Sequence, residues 1–74
     1  MNIDNDTFYK IRKVYRLTSH EMAEKLGYSQ TYVSRIERGL ENVTDNVSDK
    51  LKLVFDLDAE KLVEIKSAYY KFIN

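Results

Sequence analysis

Five polar side chains lie along one short stretch, "QTYVSRIER", at spacings that put them on one side of a helix. With Val33 and Ile36 turned inward, Gln30, Thr31, Ser34, Arg35 and Arg38 remain on the outer face. Glutamine can hydrogen-bond adenine at two atoms, arginine can do the same with guanine, and threonine can touch a thymine methyl. Each good bidentate pair discriminates by about 1–3 kcal/mol. The same residue types also make up an ordinary solvated face, and composition alone favours that second reading.

Nothing else in the chain assembles chemistry. There is no cysteine, so no disulfide, thiolate metal site or thiol nucleophile is available. The one histidine, His20, falls on the exposed side of a helix. No serine, cysteine or carboxylate pair is arranged around it, which makes it a surface histidine. No enzyme activity, metal or cofactor is expected. The six tyrosines are expected to pack partly against the core or at an interface rather than to stack on bases.

The elements that must carry the polar stretch are helices. Proline is absent and glycine occurs twice in 74 residues, which favours one all-α domain, residues 1–74, with short connections. In "DTFYKIRKVYR", Phe8, Ile11 and Val14 make one apolar stripe. In "TSHEMAEKLG", Thr18 and Glu21 have the spacing of a capping box, Met22, Ala23 and Leu26 point inward, and Gly27 ends the helix. Ser29 caps the third helix and Gly39 stops it. Thr44 or Asp45 caps a fourth, with Val47, Leu51, Val54 and Phe55 on one face. Asp58 caps a fifth, the longest, over about 58–73.

The second and third helices are short and joined by a corner of about three residues. Such a pair crosses steeply, as in a helix-turn-helix over about 18–38. Ala23 is small where the third helix passes, Gly27 allows positive φ at the corner, and Val33 plugs the inner side.

The net charge is zero, which taken alone counts against nucleic-acid binding. The distribution softens this: residues 1–39 carry +2 and residues 40–74 carry −2. No apolar run approaches the roughly 20 residues that span a bilayer, and the acidic N-terminus is unlike a signal peptide. A soluble, cytoplasmic protein without membrane contact is expected.

"LTSHEMAEKLGYSQTYVSRIERG" resembles the helix-turn-helix of the Cro/C1-type (xenobiotic-response-element-type) bacterial and phage repressors. The likeness runs from about Phe8 to Leu62, with Asn42 three residues after the "RG" pair also in register. It implies a five-helix lambda-repressor-like fold with an extended C-terminal helix, and a regulator of transcription that binds double-stranded DNA. It also implies an ion pair between Arg12 and Glu37 that ties two helices together. On this basis Gln30, Thr31, Ser34 and Arg35 become the expected base contacts. Ser19, Tyr32, Arg38, Asn42 and Thr44 become the expected phosphate contacts.

The chain departs from the family pattern at several positions. Ser19 stands where a glutamine is usual, Leu40 and Glu41 where basic residues are common, and Val43 where proline is common. These changes remove positive charge from a phosphate-facing loop, so weak single-site binding strengthened by dimerisation, or dependence on a partner protein, is expected.

In the last helix, Leu62, Ile65, Tyr69 and Phe72 recur at a heptad-like spacing. That seam suits docking on the chain's own first and fourth helices. It equally suits a homodimer, with Ile65, Tyr69, Phe72 and Ile73 meeting a second copy and two third helices reading a palindrome. A second function class is a protein-interaction module, an antitoxin or a cofactor for another repressor, acting through this helix on a second regulatory protein.

Overall fold

A computed structural model describes residues 3–73, with side chains described as far as Lys71. Five helices follow one another: α1 (Asn5–Val14), α2 (Ser19–Leu26), α3 (Gln30–Glu37), α4 (Asp45–Phe55) and α5 (Ala59–Ile73). The described residues contain no strand, and the fold is all-α and lambda-repressor-like.

Local side-chain chemistry starts each helix. The first amides of a helix have no partner within it, so a polar side chain just before it supplies one. Asp4 accepts from the Thr7 amide at 2.8 Å, Ser29 from Tyr32 at 3.1 Å, Thr44 from Val47 at 3.2 Å and Asp58 from Lys61 at 2.7 Å. At α2 the bonds are reciprocal: Thr18 accepts from the Glu21 amide and the Glu21 carboxylate accepts from the Thr18 amide. Hydrogen bonds with Thr7 hold the Asp4 carboxyl below its ordinary pKa, and those with Thr18 do the same for Glu21.

The core takes apolar side chains from every helix: Phe8 and Ile11, Met22 and Leu26, Val33 and Ile36, Val47 and Leu51, and Leu62 and Ile65. Helix α1 packs on α5 and α3, and α2 packs on α3 and α4. Ile3 and Leu57, both outside the helices, are also buried. Val54, expected on the inner face of α4, is instead exposed. It lies in the last turn of α4, where the left-handed Asp56 ends the helix, and borders an open hollow with Tyr15 and Leu17.

The C-terminal seam also resolves differently from the dimer expectation. Ile65, assigned there to a second copy, is only 3% exposed and belongs to the chain's own core. The cause is that α5 lies along α1, so Leu62 and Ile65 are spent on intramolecular packing. Tyr69 continues the same face, its ring edge-on to Tyr9 at 6.2 Å. The side chains of Phe72 and Ile73, the other two expected dimer residues, lie outside the described residues.

Arg12 joins α1 to α3. Its Nε and Nη2 donate to the two Glu37 oxygens at 2.6 and 2.9 Å, and its Nη1 donates to the Leu17 carbonyl at 2.8 Å. One guanidinium thus fixes α3 against α1 and closes the segment leading into α2.

The corner between α2 and α3 depends on Gly27, at φ +74. Its amide and that of Tyr28 return to the Glu24 and Ala23 carbonyls, ending α2. A Cβ here would meet only Lys50 Nζ, at an ordinary 3.5 Å. The constraint is therefore backbone conformation, not space. Gly27→Ala should destabilise the domain by about 1 kcal/mol, checked by urea unfolding; an unchanged midpoint would show that the corner does not need its left-handed residue.

Candidate nucleic-acid interface

The outer face of α3 follows from what its inner face buries. Val33 and Ile36 are fully buried, three residues apart, and fix the rotation of the helix. Gln30, Thr31, Arg35 and Arg38 are then exposed, with Ser34 half-buried between them. Together these five line a shallow depression of about 330 Å³. Glu37, the only carboxylate of α3, is turned away into its pair with Arg12. The outward face therefore presents amide, hydroxyl and guanidinium groups without an acid of its own.

The neighbouring helix reaches the same face. Gln30 Nε2 donates to Ser19 Oγ at 3.0 Å, which ties the first residue of α3 to the first residue of α2. Two helix N-termini, each the positive end of its dipole, thus lie close together. Ala23, almost fully buried, leaves room for α2 and α3 to pack.

The other expected phosphate contacts are more scattered. Tyr32 is half-buried, its ring edge-on to Tyr28 at 5.1 Å. Burial raises the Tyr28 hydroxyl's pKa, and Lys50 sits over that ring at 5.5 Å. Asn42 and Thr44 are exposed on the connection to α4, outside the α3 depression. Thr44 also serves as the cap of α4.

Two contacts at this face were not expected, although Glu41 itself was expected to lower the positive charge of the loop. Glu41 pairs with Arg35, Nε to Oε1 at 3.2 Å. Asn5 donates to the carbonyls of both Ile36 and Glu41 at 2.7 Å, fixing the loop that leaves α3. A sequence signal for the first existed in the opposite charges on either side of the turn at Gly39. The second had none, since Asn5 lies 31 and 36 residues from its partners.

His20 is exposed and pairs with Glu24 one turn on, at 2.7 Å. Among the described residues no group of three or more His, Cys, Asp or Glu side chains could hold a metal. No helix among them is long and apolar enough to cross a membrane.

A helix-turn-helix family profile matches residues 8–62, most of the chain and all of α2 and α3. A protein of Pyrococcus furiosus, named as an HTH-type transcriptional regulatory protein, is 32% identical over 68 residues. The match covers 92% of this chain but 22% of that relative, so the chain spans about a fifth of its length. No solved structure matches the chain at comparable significance.

Proposed function

The chain belongs to the Cro/C1-type helix-turn-helix family, a family of DNA-binding transcription regulators, and on that premise we propose that it is a sequence-specific regulator that reads double-stranded DNA in the major groove with α3. The observation that carries this is the α3 face itself. Gln30, Thr31, Ser34 and Arg35 converge on one depression with Gln30 at the N-terminal end, the end that enters the groove in this motif. Arg38, Ser19, Tyr32, Asn42 and Thr44 supply phosphate contacts around it.

The regulator acts in the cytoplasm and represses where its operator overlaps a promoter, by excluding polymerase. Two copies bind a palindrome. Ile65 has no part in the pairing. In its place stand Val63 and Tyr70, which are exposed and seven residues apart along α5, Tyr70 also meeting Lys10 of α1. Selection from a randomised duplex library should enrich a two-fold symmetric sequence whose half-sites lie about one helical turn apart. Val63→Glu should keep the helical circular dichroism while sedimentation shifts from dimer to monomer. Enrichment of no sequence would contradict DNA reading. An asymmetric single site bound by a monomer would contradict the pairing and leave this surface to a second regulatory protein.

A further inference from the structure

The loop after α3 folds back onto the helix it leaves. Gly39, at φ +77, turns the chain. The amides of Leu40 and Glu41 then both donate to the Arg35 carbonyl, at 2.8 and 3.3 Å. From the other side, the Asn5 side chain donates to the Glu41 carbonyl. The Glu41 backbone is therefore held by both α1 and α3, and its carboxylate accepts from Arg35 Nε.

We propose that Glu41 is a positioning residue that sets the base preference of the α3 face by holding Arg35; this rests on α3 being the base-reading helix. Two physical effects act together. The first is geometric. An arginine has five N–H donors in a fixed fork. With Nε engaged by Glu41, the two terminal NH2 groups remain free to meet O6 and N7 of a guanine. The long side chain is ordered before DNA arrives, so less rotamer freedom is lost on binding.

The second effect is electrostatic. A bare arginine on this face attracts any phosphate, and that term is the source of sequence-independent affinity. A carboxylate beside it cancels much of the attraction and leaves the hydrogen bonds to a base edge in place. Glu41 thus lowers non-specific binding while keeping the specific contact, and the ratio between the two rises. The pair is open to solvent, with both side chains more than 40% exposed. It contributes little to stability, so variants at Glu41 remain folded.

The test uses the duplex selected from a randomised library by the wild-type protein and a scrambled duplex of equal length. Affinities for both are measured at two salt concentrations for the wild type, Glu41→Ala, Glu41→Gln and Arg35→Ala. Glu41→Ala should bind the scrambled duplex more tightly, with a steeper salt dependence, and narrow the selected-to-scrambled ratio by about fivefold. The loss should concentrate at the base pair that Arg35→Ala also relaxes. Glu41→Gln keeps an oxygen for Nε but not the charge, so it should recover the base preference without the weak scrambled binding. A merely structural Glu41 would move the melting temperature and not this ratio. If Arg35→Ala relaxes the ratio while both Glu41 variants match the wild type, the positioning role is wrong and base reading stands. If Arg35→Ala leaves the ratio unchanged, both are wrong.

Discussion

Arg12→Met should lower the stability of the domain by about 3 kcal/mol, towards the lower end of what breaking a buried ion pair costs. The side chains of Arg12 and Glu37 are only 15% and 10% exposed, so water replaces the lost partner only in part. The variant leaves a carboxylate in a poorly solvated site, and it also frees the Leu17 carbonyl that Arg12 Nη1 satisfied. A domain of this size has a total stability of only about 5 kcal/mol or a little more. The loss should therefore appear as a large fall in the urea midpoint and partial unfolding at physiological temperature. Arg12→Met with Glu37→Leu should recover much of it, because the cost lies mainly in the unpaired charge. If the single variant unfolds at the wild-type midpoint, the pair is not what fastens α1 to α3. If the double variant is no better than the single, the cost lies in the lost packing and the Leu17 bond instead.

Arg35→Ala should have the largest effect on discrimination. The side chain sits with Thr31 and Ser34 in the α3 depression, and a bidentate arginine–guanine contact is worth about 1–3 kcal/mol. Removing it should relax preference at one base pair by roughly 5- to 150-fold, with little change elsewhere in the site. Arg38, beyond the last turn of α3, serves as the control. Arg38→Ala should weaken all sequences alike and reduce the salt slope by about one. Equal, uniform losses from the two variants would overturn the assignment of Arg35 to a base.

Much of the fold was legible because its determinants are local. Thr18 with Glu21, Ser29, Thr44 and Asp58 cap helices within three residues of themselves, and Gly27 ends α2 by its own backbone. The outward face of α3 was legible for the same reason, since Val33 and Ile36 fix its rotation. The partner of α5 was not legible. The spacing of Leu62, Ile65 and Tyr69 is the same whether the helix docks on α1 or on another molecule, and only the packing of the whole chain assigns Ile65 to the core. Ile3 and Leu57 carry no periodic signal, being single apolar residues in connecting segments. The loop fastening by Asn5 depends on a turn whose path no spacing specifies, and the Arg35–Glu41 pair left as its signal only the opposite charges flanking Gly39. The Arg12–Glu37 pair was legible only through family resemblance, because residues 25 apart show no local pattern.

The most direct measurement is a fluorescence-anisotropy titration with duplex fragments from around the protein's own gene, at two salt concentrations, with Arg35→Ala alongside. Tight binding to one fragment, weakened steeply by salt and lost in the variant, is the result expected of a protein that reads DNA with α3. Weak binding to every fragment alike, indifferent to Arg35→Ala, would contradict it.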